Sequence, residues 1–293
     1  MKKVAFIGIG RMGHGMAGRY LEGGFTVALW NRSKPKAEDL IARGARWASS
    51  PADAAEGADA IVTMVADDEA SRAVWLGADG AATRARAGTI AIECSTVSYD
   101  HALYLARELR GHGLVYVDCP VTGLPDAAAN GKLTLLVGAQ PEDLAAAQAF
   151  LNPLSSTIRH FGTVGSGTVY KLINNLMGAI QIAGIAEGLA IAEQAGLDMK
   201  LVLEAVETGV AASPQVIRHS RRMAARDFSG ATFTAALRHK DAAYAVKLAE
   251  SLLSGAPLMG RAAVEAYSRA KAYAPDDDEG KMIEIVSPAR GAT

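Results

Sequence analysis

The chain has 293 residues, longer than one ordinary domain of ~100–200 residues and suited to two. Its 30 Lys and Arg against 31 Asp and Glu leave a net charge of −1, so no global basic field draws it to nucleic acid or to an anionic membrane. Hydrophobic residues make up 50% and charged residues 21%, a composition that supports sizeable cores and excludes a largely disordered chain. The 2 cysteines, Cys94 and Cys119, are too few for a disulfide framework and read as small buried thiols in a reducing cytoplasm.

Residues 3–9 read as a buried strand, and the apolar run after Met1-Lys2-Lys3 is short for a secretory leader. A helix over 11–23 follows a glycine-rich turn. Residues 25–30 form a second strand, then a helix spans about 34–43, with Ser33 as N-cap and Pro35 in its first turn. Further strands are expected at 59–65, 89–94, 114–118, 133–137 and 156–161, with a helix at about 98–112. Alternating strands and helices imply βαβ units and a mainly parallel sheet.

Strand candidates stop near 161, and everything beyond reads as helix: roughly 167–195, 198–207, 213–225, 233–254 and 258–273. The expected fold is α/β: an N-terminal Rossmann-type doubly wound sheet over 1–163 and an all-α domain over 164–293, joined by a long helix. Leu172 to Ala195 is apolar, but Asn174, Asn175, Gln181, Glu187 and Glu193 interrupt it, so it reads as a core helix rather than a membrane span. Pro275 to Gly280 reads as a solvated acidic loop.

Gly8-Ile9-Gly10-Arg11-Met12-Gly13 matches G-x-G-x-x-G between a strand and a helix, the context that a dinucleotide-binding turn requires. Gly8 permits the tight turn, Gly10 lets the backbone approach a pyrophosphate, and Gly13 lets the helix pack on the sheet. At the end of the second strand, where an acid would bind the adenosine ribose of NAD, stand Asn31, Arg32 and Ser33. A carboxylate would repel a 2′-phosphate whereas an arginine grips one, so the expected cofactor is NADP(H).

Ser95-Thr96-Val97-Ser98 and Asp118-Cys119-Pro120-Val121-Thr122-Gly123 each follow a strand end, where open α/β sheets bind ligands; both also read as capping or turn segments. On the long helix Gly167, Lys171, Asn174, Asn175 and Gly178 fall on one small, polar face. Leu172, Ile173, Leu176 and Ile180 make the opposite, core-facing side. The glycines flanking Lys171 would let a bulky group come close. Lys240-Asp241 is a helix pair of the kind usually solvated. The 6 histidines show no metal-ligand spacing, and no metal is expected.

In this order these segments resemble the β-hydroxyacid dehydrogenase family, which includes 3-hydroxyisobutyrate dehydrogenases, tartronate semialdehyde reductases and glyoxylate/succinic semialdehyde reductases. The resemblance spans nearly the whole chain. It implies a catalytic lysine at Lys171, with Asn174 and Asn175 orienting the substrate and Ser95, Thr122 and Gly123 holding its carboxylate. It implies a cofactor set of Gly8, Gly10, Arg11, Met12, Gly13, Asn31, Arg32, Ser33, Val65, Ala66, Thr96 and Lys240, and a homodimer or homotetramer built through the helical domain. The family usually reads Ser-Gly-Gly where this chain has Thr122-Gly123-Leu124. Leu124 adds apolar bulk and Pro125 removes an N–H, a departure that points away from the usual small hydroxy acid and toward an aldehyde with a less polar tail or a substrate without the usual carboxylate.

The implied reaction is hydride transfer between NADP(H) and a small carbonyl or hydroxy-acid substrate, with Lys171 as acid and base. An imine reductase shares the architecture, but in that group another residue generally replaces the lysine. A non-catalytic NADPH-binding module would predict loss of the polar helix face.

Overall fold

A computed structural model of the chain describes residues 1–288. The strands are β1 (Lys3–Ile7), β2 (Thr26–Trp30), β3 (Arg46–Trp47), β4 (Ala60–Thr63), β5 (Ile90–Glu93), β6 (Val115–Asp118), β7 (Val121–Thr122), β8 (Leu133–Gly138) and β9 (Ser155–Gly162). The helices are α1 (Arg11–Glu22), α2 (Glu38–Ala42), α3 (Pro51–Ala55), α4 (Asp68–Leu76), α5 (Tyr99–Gly111), α6 (Pro125–Ala129) and α7 (Pro141–Leu151), followed by α8 (Ser166–Gln194), α9 (Met199–Thr208), α10 (Pro214–Ala224), α11 (Ala235–Leu252), α12 (Leu258–Tyr273) and α13 (Ile283–Val286). Tertiary contacts divide the chain into two compact units, Met1–Lys171 and Leu172 onward, early in α8.

The first unit holds one sheet, in the order β3-β2-β1-β4-β5-β6-β8-β7, with β9 paired to β8. Pairing is parallel from β3 to β6, turns antiparallel where β8 meets β6 and β7, and is parallel again between β8 and β9. Strand order reverses between β1 and β4, the crevice where doubly wound sheets take their ligands. Side chains alternate between two buried faces. Phe6, Leu29, Val62, Ile92 and Val117 enter one core, and Ala5, Ile7, Ile61, Ala91 and Tyr116 the other. Burial on both faces explains why these strands read as continuous apolar runs.

The helix expected over 34–43 is instead a 3-10 turn over Lys34–Ala37 followed by α2, and Ser33 makes no side-chain cap bond. The helices α3, α4, α6 and α7 were not expected, although two carry plain start signals. Ser50 accepts from Asp53 N–H ahead of Pro51, and Asp67 accepts from Ala70 N–H.

The second unit is helical. Ala179, Ile182, Ala186 and Leu189 of α8 pack with Met223, Ala242, Tyr267 and Ile283. α8 is long and apolar enough to span a bilayer by length and composition, and it supplies the centre of this core. The buried stripe of α8 runs Leu172, Asn175, Ala179, Ile182, Ala186, Leu189. Ile173, expected in the core, is therefore 48% exposed, with Met177 and Ile191 also outside. The expected solvated loop over 275–280 is also corrected: Asp278 and Glu279 are buried at 1% and 2%. Glu279 faces the internal guanidinium of Arg238, as described below, and Asp278 faces Arg222 (3.3 Å) and accepts from Gly280 N–H.

Candidate active site

The register of the sheet aligns Ile7, Thr63, Glu93 and Asp118 across β1, β4, β5 and β6. The segments that follow, beginning at Gly8, Met64, Cys94 and Cys119, therefore leave the sheet side by side along its C-terminal edge. Gly8 has φ +101, and a Cβ there would lie 2.3 Å from Met64 O; at Gly13 it would lie 1.9 Å from Gly8 O. The fold itself requires both glycines. Gly10 differs, since nothing lies within 4 Å of where its Cβ would be. α1 begins there with no capping side chain and no acid in its first turn. Its N-terminal N–H groups and open backbone make a cradle suited to an anion such as a pyrophosphate.

At the end of β2 the carboxamide of Asn31 turns inward. Its Oδ1 accepts from Ile9 N–H (3.1 Å) and its Nδ2 donates to Ser33 O (2.9 Å). Arg32 is exposed beside it. The next two segments are tied together. Val65 N–H donates to Ser95 Oγ (2.8 Å), while Ser98 donates through N–H (2.8 Å) and Oγ (2.6 Å) to the Asp68 carboxylate. Ser98 also caps α5, as expected, accepting from His101 N–H. Ser95 is fully buried and Thr96 half-buried. Cys94 and Cys119 are free and buried.

Asp118 joins this edge to α8. Its Oδ2 accepts from the N–H groups of Gly165 (3.1 Å) and Thr168 (2.9 Å), and its Oδ1 from Thr168 Oγ1 (2.6 Å). Burial raises the Asp118 carboxyl to about 6, against those three bonds, and the Glu93 carboxylate in the neighbouring strand adds to the rise. Gly167 lets α8 lie against β8, since a Cβ would come 2.2 Å from Leu136 O. Its room is thus filled by backbone rather than by a ligand. One turn later Lys171, half-buried, donates from Nζ to Val121 O (2.8 Å). That carbonyl adjoins Thr122 and Gly123, so the lysine and those two residues meet. Gly123 has φ +136, and Leu124, at the start of α6, is 46% exposed.

Along the same helix, in the second unit, Asn174 is exposed and donates to Asn175 Oδ1 (3.0 Å), while Asn175 is buried and donates to Asp241 Oδ2 (2.6 Å). The Lys240-Asp241 pair is not solvated as expected. Asp241 is 1% exposed, and Lys240 Nζ sits 3.0 Å from its Oδ1 and over the Tyr244 ring. Beneath lies a network with no precedent in the sequence reading. Arg238 pairs through Nε and Nη2 with the two oxygens of Glu279, donates from Nη1 to Asn175 O (3.1 Å), and lies over the Phe233 ring. His219 approaches Glu279 at 3.4 Å, and the adjacent Arg238 holds the Glu279 carboxyl down at about 2 despite burial. Gly178 faces Arg238, 3.1 Å from Nη1 to a would-be Cβ, so this glycine too serves packing.

Residues 3–162 match the family model described as the NAD binding domain of 6-phosphogluconate dehydrogenase. Residues 165–286 match the model described as NAD-binding of NADP-dependent 3-hydroxyisobutyrate dehydrogenase. The chain is 33% identical over 276 residues to an NAD-dependent L-serine dehydrogenase of Pseudomonas aeruginosa, covering 91% of each. It is 30% identical over 288 residues to glyoxylate/succinic semialdehyde reductase 2, chloroplastic, of Arabidopsis thaliana, covering 98% of this chain and 80% of that one. Among solved structures, Mycobacterium tuberculosis 3-hydroxyisobutyrate dehydrogenase with L-serine superposes with a TM-score of 0.87 at 28% identity, covering 98% of this chain and 99% of that one. A Streptomyces aurantiacus imine reductase, at 23% identity and TM-score 0.65 over 98% of this chain and 100% of that one, shares the fold.

Asparagine can replace Asp118 without losing a partner: its Oδ1 takes the two N–H groups and its Nδ2 donates to Thr168 Oγ1. With its folded value raised, the wild-type carboxyl contributes stability that is full below the unfolded 3.8 and lost as pH climbs past about 6. Asp118→Asn is expected to gain on wild type in urea unfolding as pH rises across that window, with no further change above it. Asp118→Ala strands two backbone N–H groups, at about 1–3 kcal/mol each. A difference between Asn and wild type that does not vary with pH contradicts this.

Proposed function

The chain belongs to the 3-hydroxyisobutyrate dehydrogenase family of NAD(P)-dependent oxidoreductases, and from that premise we propose that it interconverts a small aldehyde or semialdehyde and its alcohol with NADP(H), using Lys171 as the acid and base. The observation that carries this is the ammonium of Lys171 held on the Val121 carbonyl, beside Thr122 and Gly123. NADPH, when bound, supplies the hydride. Lys171 Nζ donates a proton to the carbonyl oxygen as charge develops on it, and its positive charge stabilises that oxyanion. In the oxidative direction the neutral amine takes the hydroxyl proton. Thr122 offers its hydroxyl to the substrate's polar head, and Ser95, buried with its hydroxyl on Val65 N–H, is assigned to the site on the family resemblance. Asn174, Asn175 and Lys240 are assigned to substrate and cofactor on the family resemblance.

The cradle at Gly10 and the uncapped start of α1 fit a pyrophosphate. Choice of phosphate state rests on this chain's own residues, because the Pseudomonas aeruginosa relative is named NAD-dependent. Asn31 spends both ends of its carboxamide on the backbone, and no carboxylate occupies the end of β2. The exposed Arg32 is then the group for a 2′-phosphate. Leu124 and Pro125 stand where the family's second glycine would let a carboxylate lie on the backbone. That favours a less polar aldehyde over a short carboxylated one.

Lys171→Ala is expected to lower kcat about 10²–10⁴-fold while NADPH affinity stays within a few-fold. Lys171→Arg fails to rescue, since a guanidinium keeps its proton. Near-normal turnover in Lys171→Ala, or a loss matched by equal loss of NADPH binding, sinks the assignment. For the cofactor, Arg32→Ala weakens NADPH but not NADH, by ~1.5–3 kcal/mol, the worth of a charge-assisted bond. A wild-type preference for NADH in kcat/KM contradicts it. Leu124→Gly raises kcat/KM for short carboxylated semialdehydes relative to non-acidic aldehydes, and an unchanged ratio puts Leu124 outside the pocket.

A further inference from the structure

One acid interrupts the apolar strand β5. Glu93 is fully buried, and every group that reaches it donates. Ser71 Oγ (2.5 Å) and Trp75 Nε1 (3.0 Å), both on α4, share Glu93 Oε2. Ser95 N–H (2.9 Å) takes Oε1. Ser95 in turn accepts from Val65 N–H through its hydroxyl. One carboxylate thus fixes the backbone at Ser95, and that hydroxyl fixes the backbone at Val65. Both residues sit on the sheet edge where the proposed cofactor and substrate groups emerge.

We propose that Glu93 is a positioning residue for this site, setting Ser95 and, through it, Val65 at the distances that NADPH and the aldehyde need. The proposal rests on the assignment of the 65–66 and 95–96 segments to the site. Glu93 touches neither cofactor nor substrate and acts through Ser95.

The chemistry of the three donors makes the requirement specific. Trp75 Nε1 and Ser95 N–H can only donate, and they address different oxygens of Glu93. A carboxylate accepts both. A glutamine cannot: with its oxygen toward Ser95, its Nε2 hydrogens face Trp75 N–H, and with the amide reversed, they face Ser95 N–H. Either way two donors oppose each other in a dry site. Asp118, one strand away, has no such conflict, because one of its oxygens is met only by a hydroxyl, which can accept as well as donate. Replacing Trp75 by phenylalanine removes one of the opposing donors. Glutamine at 93 can then keep its oxygen on Ser95 N–H and donate to Ser71 Oγ.

The test is Glu93→Gln made twice, in wild type and in Trp75→Phe, with steady-state KM for NADPH and for a non-acidic aldehyde measured well below the melting temperature. Introduced into wild type, Glu93→Gln is expected to raise one or both KM values by about tenfold or more, the equivalent of one lost bond to a charged group. Introduced into Trp75→Phe, it raises them about twofold or less. A purely structural role would lower the melting temperature and the active fraction but leave both KM values alone. If Glu93→Gln does not fold, Ser71→Ala, which strips one donor from the same oxygen, is expected to move the same constants in the same direction by about two- to threefold. Equal KM changes in the two backgrounds, or none in either, overturn the proposal. Ser95→Ala separates the two levels of inference. Unchanged KM values there mean that the segment is not part of the site, and the underlying assignment fails. Changed values in Ser95→Ala with none in Glu93→Gln mean that only the positioning role fails.

Discussion

The carboxylate of Asp118 is the joint on which the placement of Lys171 in the first unit depends. It closes β6 and accepts three hydrogen bonds from Gly165 and Thr168, the residues that lead into α8. A Cβ on Gly138 would lie 2.7 Å from Asp118 Oδ2, 2.8 Å from Thr163 O and 2.9 Å from Gly167 N, so β8, the turn and the helix start converge on one point. Those close contacts and bonds fix the position of the start of α8 against β8. Lys171, three residues past Thr168, is accordingly delivered to the Val121 carbonyl. A buried carboxyl with so many donors is expensive to desolvate, and its elevated value near 6 records that cost. What it provides in exchange is the placement of a lysine whose flexible stem could otherwise reach many positions.

Glu93 stands in register beside Asp118, and the two carboxylates divide the labour along the sheet edge. Asp118 orders the segment that brings the lysine. Glu93 orders the segments from β4 and β5. Neither needs to contact a ligand to matter, because hydrogen-bonding groups placed about 1 Å wrong lose much of their catalytic value. The second unit has its own version of this design. Asp241 and the Arg238–Glu279 pair hold the side chain and the carbonyl of Asn175, so a buried amide on α8 is fixed from both ends.

Local signals made much of this legible in the sequence. Limits of the central strands β1, β4, β5, β6 and β8 fell close to those expected because these strands are buried on both faces and flanked by turn residues, whereas the two-residue strands β3 and β7 carry too little pattern to read. The glycine motif is readable because the positive φ of Gly8 and the contact of Gly13 with Gly8 O are local to the motif, although the Met64 carbonyl that also excludes a side chain at Gly8 comes from β4's end. The phase of α8 was not, since the helix is apolar nearly all round and periodicity cannot choose which stripe is buried; Ile173 and Asn175 were exchanged for that reason. The ion network of the second unit escaped because its partners are far apart in sequence: Arg238 and Glu279 lie 41 residues apart, and Asn175 and Asp241 lie 66 apart. Asp278 and Glu279 read as part of a solvated acidic run, and only their separate partners, Arg222 for Asp278 and Arg238 for Glu279, account for their burial. Glu93 carries a signal in the sequence, one charged residue at the end of an apolar strand, but its three donors become visible only in the fold.

If the lysine placed by this joint is the proton donor, the pH dependence of kcat in both directions reports it most directly. A general acid must be protonated to reduce the aldehyde and deprotonated to oxidise the alcohol. With cofactor and substrate saturating, kcat for reduction should fall as pH rises through one ionisation, and kcat for oxidation should rise through that same ionisation. Both limbs should vanish in Lys171→Ala. Limbs that persist in Lys171→Ala, or that run the same way in both directions, would contradict the account.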